Sequence, residues 1–328
     1  MKKMLSGIKP SGQLTLGNYI GALRNFVAYQ DDYEMIIFIA NLHCLTIYQD
    51  PSELRKNLHD TIALYLACGL DPKKTTIFMQ SDVKEHAQLG FIMSCNTYLG
   101  ELNRMTQYKD KVAKGENGLS AGFYTYPTLM AADILMYDAD YVPVGEDQKQ
   151  HVELARDVAE RFNNKYGVTF TVPEPMIPKI GARIMSLSDP TKKMSKSEEN
   201  NKGCIYLLDD PAVASKKIMS AVTDLVGKIQ YDPENQPGIS NLLTIHSTLS
   251  GIPINELVSQ FEGQGYGNLK KAVAAEVVKL LTELQNEYHK IMASGIIKEV
   301  LSEGKEKAGV IASAKLADVQ HRIGADIF

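Results

Sequence analysis

Three clusters of residues in this chain could do chemistry. The segment "SDPTKKMSKSEENNKG" (188 to 203) sets Lys192, Lys193 and Lys196 among serines, acids and asparagines. Ammonium groups on such a polar loop can close over a polyphosphate and follow negative charge onto its leaving group. The same composition also describes a solvated linker between domains. A second cluster, Ser11, Gly12, Thr15, Gly17 and Asn18, lies between an apolar run and a helical pattern. A helix start there offers free N–H groups and partial positive charge to a nucleotide, and Gly17 would let a flat ring approach the backbone. It is neither Gly-x-Gly-x-x-Gly nor a P-loop, and a capped helix after a flexible turn would look the same. In the third, Tyr126, Met130, Asp133 and Tyr137 recur at helical spacing and share one face. An aspartate in that stripe either faces solvent or an ion-pair partner, or is buried and needs hydrogen-bond donors. "VGEDQKQH" (144 to 151) adds a polar group at the end of an apolar run, where Asp147 could serve only as a helix cap.

The elements that must position these groups read as alternating strands and helices. "MLSGI", "EMIIFIAN", "TTIFMQ" and "DYVPVG" are apolar runs of strand length. The helix expected over 51 to 68 has Asp50 as N-cap, Pro51 at its first position and Gly69 just past its end. This alternation predicts an α/β fold, a Rossmann-like doubly wound parallel sheet. From Asp210 onward every pattern is helical, including "NLKKAVAAEVVKLLTELQNEYHKIM", so a boundary falls near 203 to 208. Residues 1–203 are expected to form the sheet domain and 204–328 an all-helical one.

Composition sets limits on partners and setting. With 44% hydrophobic and 23% charged residues the chain has ordinary globular composition, and a net charge of −4 provides no basic arm, so nucleic acid would have to meet a local patch. Four cysteines, with no Cys-x-x-Cys pair, suggest a reduced, cytoplasmic protein without a disulfide framework or a side-chain metal site. The lysines near the start precede no signal-peptide core, and no apolar run reaches membrane-spanning length.

"TKKMSKS" contains the Lys-Met-Ser-Lys-Ser signature of class I aminoacyl-tRNA synthetases, and "TLGN" (15 to 18) stands where that class carries His-x-Gly-His. With "SGIKPSG", "GELNRMTQYKDK", "MAADIL" and "VPVGEDQKQH", the chain resembles the bacterial-type tryptophanyl-tRNA synthetases along nearly its whole length. The resemblance implies a Rossmann-like catalytic domain, a helical anticodon-recognition domain and a homodimer. It also implies ATP, Mg²⁺, L-tryptophan and tRNA(Trp) as partners, with tryptophanyl-AMP and pyrophosphate formed before transfer to the terminal adenosine. By position, the ATP site would comprise Lys9, Pro10, Ser11, Thr15, Gly17, Asn18, Gly145, Asp147, Gln148, Ile184, Met194 and Ser195. Lys111, Lys193 and Lys196 would meet the phosphates as the catalytic cations. Asp133 would accept the indole N–H, within walls of Leu5, Gly7, His43, Met130, Val142 and Val144, and Tyr126 and Gln148 would lie near the ammonium group.

Elementary chemistry agrees with that reading. An indole nitrogen only donates, so a buried carboxylate suits tryptophan and would be stranded by phenylalanine. The tyrosine hydroxyl can also donate, so its rejection must come from pocket volume and from where the donor sits. The attacking carboxylate is already ionised, so activation requires charge and alignment rather than an acid or base residue. Both histidines of the class signature are replaced here, by Thr15 and Asn18. The family pattern has Gln at the position of Lys9 and Asp at that of Asn41, so altered nucleotide affinity is expected.

Overall fold

The computed structural model describes residues 1–10, 12–115, 118–177, 183–195 and 201–327. Five parallel strands form one sheet in the order β3-β2-β1-β4-β5. They are β1 (Lys3–Ile8), β2 (Glu34–Ile39), β3 (Thr75–Met79), β4 (Tyr141–Pro143) and β5 (Glu174–Met176). The four apolar runs in the sequence supply β1 to β4, while β5 is a further strand. It has only three residues and contains Pro175, and its register with β4 rather than any apolar run defines it.

The near-continuous burial of β2 fits a parallel strand covered on both faces. Met4 and Ile8 on one face join a core that includes helix Pro51–Ala67, and Leu5 and Phe38 on the other join helices Ala121–Leu135 and Lys149–Tyr166. Asp50 caps the first of these helices by accepting from the amides of Ser52 and Glu53. After Gly203 the chain is helical, with Pro211–Met219, Pro237–Ser250, Ile254–Gln260, Tyr266–Ser294 and Ile296–Ile323.

A cut near Gly203 separates the sheet from these helices in sequence but not in packing. Helix Ile296–Ile323 returns to lie along β3, and a Cβ added at Gly304 would come within 1.8 Å of the Ile77 carbonyl oxygen. Ala308, Ala312, Leu316 and Val319 continue that contact into the core beneath Phe78 and Tyr137. Tyr288, on the preceding helix, donates to Asp60 at 2.8 Å, which ties Tyr266–Ser294 to Pro51–Ala67.

The lysine-rich segment is also less detached than its polarity suggests. Met194 is buried at 4% exposure and donates its amide to the carbonyl of Ile184, while the Ser186 amide donates to the carbonyl of Lys192. Residues 183 to 195 are therefore docked on the fold by three apolar side chains, Ile184, Leu187 and Met194, and by backbone hydrogen bonds. Lys196 lies outside the described residues. Among the described residues, no helix is long and apolar enough to cross a membrane.

Candidate active site

Strands β1 and β4 pair only at Met4 and Tyr141. Beyond that pair they diverge, and a crevice opens at their carboxyl ends. This is where strand order reverses, the usual position for a ligand in a doubly wound sheet. A cavity of about 430 Å³ occupies the crevice. It brings together Leu5, Gly7, Lys9, His43, Tyr126, Met130, Asp133, Val142, Val144, Gly145 and Gln148 from elements far apart in sequence. Its size and apolar walls suit one bicyclic side chain. Gly7 shapes it directly, because a Cβ there would lie 2.5 Å from the Phe38 ring, which instead rests over the bare backbone.

Asp133 forms the polar floor and is fully buried. Helix Ala121–Leu135, capped by Ser120 on the amide of Phe123, carries it inward. Three side chains donate to its carboxylate. His86 Nδ1 reaches Oδ1 at 2.6 Å, His43 Nε2 reaches Oδ2 at 2.7 Å, and Gln80 Nε2 lies 2.8 and 2.9 Å from the two oxygens. Burial pushes the carboxyl pKa up, but the bonds from His43 and His86 outweigh it and leave the group at about 2. The buried aspartate is thus ionised at neutral pH. Tyr137 completes the chain of contacts, 2.8 Å from His86 Nε2. Since His86 donates through Nδ1, its Nε2 accepts from the tyrosine, whose own pKa is raised chiefly by burial.

Two turns before Asp133 on the same helix, the Tyr126 hydroxyl donates to Gln107 at 2.8 Å and meets His151 Nε2 at 2.5 Å. Burial lowers His151 to about 4, so the ring is neutral at pH 7, and its Nδ1 has no partner among the described residues. Tyr126 is thereby fixed between helices Thr106–Ala113 and Lys149–Tyr166. Lys111 sits one turn beyond Gln107 on the first of these.

Of the described residues expected to meet the nucleotide, Lys9, Gly145 and Gln148 line the cavity and the others lie outside its lining. Thr15 and Asn18 form a reciprocal capping box, with Asn18 N to Thr15 Oγ1 at 3.2 Å and Thr15 N to Asn18 Oδ1 at 3.0 Å. A wider π-helical turn follows at Tyr19–Leu23 and brings Ala22 to the cavity. Gly17 faces Ile184 and Met194, each about as far from an added Cβ as ordinary contact allows, at 3.7 Å. Lys9 is exposed beside buried Pro10, and Lys193 is exposed on the docked segment next to half-buried Ser195. Asp147 is exposed and packs its carboxylate under Gly145, leaving 2.7 Å to a Cβ placed there. Ser11, like Lys196, lies outside the described residues.

Comparison with known proteins gives this arrangement a lineage. The model of the tRNA synthetases class I (W and Y) family matches residues 1–282. The tryptophan–tRNA ligase of Caldanaerobacter subterraneus subsp. tengcongensis is 54% identical over 324 residues, covering 99% of this chain and 98% of that protein. The chain belongs to the tryptophanyl branch of the class I tRNA synthetases. The tryptophan–tRNA ligase of Bacillus subtilis is 53% identical over 321 residues, with 98% and 97% covered. Among solved structures, the Mycoplasma pneumoniae tryptophanyl-tRNA synthetase superposes with a TM-score of 0.89 at 40% identity, covering 99% of this chain and 98% of that one. The Campylobacter jejuni enzyme, solved with ADP and tryptophan, gives a TM-score of 0.85 at 38% identity, with 98% and 99% covered.

Within this tryptophanyl-tRNA synthetase framework, sequence reasoning missed the residues that hold the site together. Gln80 directly follows β3, His86 lies in the first turn of helix Glu85–Cys95, and Gln107 and His151 come from two further helices. One signal was available for Gln80, which stands at the carboxyl end of an apolar strand. His151 closes the polar stretch "VGEDQKQH" that the sequence singles out, whereas His86 carried no signal, because nothing local in sequence distinguishes a histidine that serves a distant side chain.

Proposed function

We infer that this chain activates L-tryptophan with ATP and transfers the tryptophanyl group to tRNA(Trp). The observation that carries the reading is the ionised, fully buried Asp133 at the floor of an apolar crevice that fits one bicyclic ring. Leu5, Phe38, Met130, Val142 and Val144 would desolvate the ring, and Asp133 would accept its N–H. Tyr126 and Gln148, at the wall and rim, are proposed to hold the ammonium group. Gly17, Ile184 and Met194, which pack against one another, would together border the adenine above the helix start, with Thr15, Asn18, Pro10, Ser11, Ser195, Gly145 and Asp147 around it.

In the first step the tryptophan carboxylate attacks the α-phosphorus of ATP. A carboxyl oxygen–phosphorus bond forms, the bond to the bridging oxygen breaks, and pyrophosphate leaves with the electron pair. Lys9, Lys111, Lys193 and Lys196 are proposed to neutralise that departing charge. In the second step a ribose hydroxyl of the terminal adenosine attacks the acyl carbon and gives up its proton to the departing phosphate, the bond from the acyl carbon to the phosphate oxygen breaks, and AMP leaves with the electron pair. Among the described residues no group of three or more His, Cys, Asp or Glu is placed to hold a metal ion. We therefore propose that Mg²⁺ arrives on the phosphates as part of the nucleotide substrate. The helices after Gly203 are proposed to read the anticodon, in a cytoplasmic homodimer.

Tryptophan-dependent exchange of pyrophosphate into ATP, run beside tyrosine, tests the reading, followed by tRNA charging with each of the twenty amino acids. Exchange with tyrosine that equals or exceeds exchange with tryptophan would overturn it. Because the chain contains no tryptophan, bound L-tryptophan would be the only indole fluorophore, which provides an independent binding signal.

A further inference from the structure

An ionised carboxylate has room for about four hydrogen bonds, and Asp133 already makes four contacts, from Gln80, His86 and His43. The three donors are not equivalent. Gln80 and His86 are both fully buried, and neither lines the cavity. Each is also secured at its far end: Gln80 Oε1 accepts from the Leu42 amide at 3.1 Å, and His86 Nε2 accepts from Tyr137 at 2.8 Å. His43 alone lines the cavity while bonded to the carboxylate, with its side chain 11% exposed. A ring N–H entering the cavity therefore meets Oδ2 already bonded to another five-membered ring N–H.

We propose that His43 is an exchangeable donor: it bonds Asp133 Oδ2 when the occupant brings no N–H and yields that oxygen to the substrate's ring N–H. The inference rests on the reading of Asp133 as the acceptor for the indole. One donor replaces a chemically similar one, while Gln80 and His86 keep the carboxylate in place. An occupant lacking N–H then leaves Asp133 satisfied by His43. The penalty for a stranded carboxylate, on which the sequence argument against phenylalanine depends, is softened accordingly. Rejection of wrong rings falls chiefly on the shape of the walls.

The test compares L-tryptophan with 3-(benzothiophen-3-yl)alanine, in which sulfur replaces the ring N–H, by kcat/KM in pyrophosphate exchange. Exchange predicts that the wild-type chain prefers tryptophan by only about tenfold or less, and that His43→Leu raises the preference a further tenfold or more, mainly through KM. His43→Gln retains an N–H donor and should stay within about threefold of wild type. An unchanged preference in His43→Leu, or the same rise in His43→Gln, overturns the proposal. Should His43→Leu not fold, ¹⁵N resonances of the His43 imidazole in the wild-type chain decide. Its Nε2–H signature should be lost with tryptophan and retained with the isostere, and persistence with tryptophan overturns the exchange. A wild-type chain that activates no tryptophan overturns the ligase reading and this inference together, whereas intact activation with an unaltered preference overturns this inference alone.

Discussion

Replacing Asp133 with alanine should destabilise the fold as well as disable the site, and both effects can be sized. His86 and Gln80 are fully buried and would each lose their acceptor, whereas His43 can turn toward the cavity. Two stranded donors cost about 1–3 kcal/mol apiece, so the loss is about 2–6 kcal/mol. Titration gives an independent figure. A carboxyl lowered from 3.8 to about 2 on folding contributes on the order of 2–3 kcal/mol at neutral pH. The folded pKa is the depressed one, so this stability is fully present above the unfolded value and is lost as pH falls through the folded value. Urea unfolding of wild type and Asp133→Ala at pH 7 should differ by at least about 2 kcal/mol. The gap should narrow by about 1 kcal/mol at pH 3. In pyrophosphate exchange, kcat/KM for tryptophan should fall by about a hundredfold or more, because the ring N–H meets no acceptor. A variant within 1 kcal/mol of wild type at pH 7, or a gap that does not change with pH, would refute the reasoning.

Gly304→Ala forces a methyl group into the Ile77 carbonyl and should lower stability by about 1–3 kcal/mol, read as a drop in thermal midpoint; an unchanged midpoint would mean the helix can shift away from β3. Lys9→Gln removes a cation at the cavity rim and should raise the KM for ATP by about two- to tenfold while leaving that for tryptophan alone. An unchanged ATP KM would exclude Lys9 from the nucleotide site. Tyr137→Phe deletes the hydroxyl that fixes the His86 tautomer and should cost about 1 kcal/mol of stability. It should also raise the tryptophan KM severalfold with little change in kcat, whereas a loss confined to kcat would count against a positioning role.

How much of this was legible in the sequence depended on distance along the chain. Helical spacing was enough to direct Asp133 and Met130 to one face, and apolar runs marked strands β1 to β4. The partners of Asp133 were not legible, because Gln80, His86 and His43 reach it from three other elements and obey no local period. β5 was hidden because it is short, only partly buried and set in no apolar run. Docking of the lysine-rich segment turned on Met194 and on Ile184 and Leu187 just before it, a few buried side chains that composition averages away. The return of the last helix was half visible: Gly304, Ala308 and Ala312 recur every four residues, a stripe of small side chains that announces close approach without naming what approaches.

That return has a consequence for biogenesis. Ser313 bonds Glu85 across 228 positions of sequence, in the same neighbourhood where Gly304 meets Ile77. While a ribosome is still delivering the intervening polypeptide, β3 borders the nascent sheet with nothing laid along it, and a bare border of this kind invites pairing with neighbouring chains. Emergence of the final helix ends that vulnerable interval, so slowing translation shortly before codon 304 should increase the demand for chaperones.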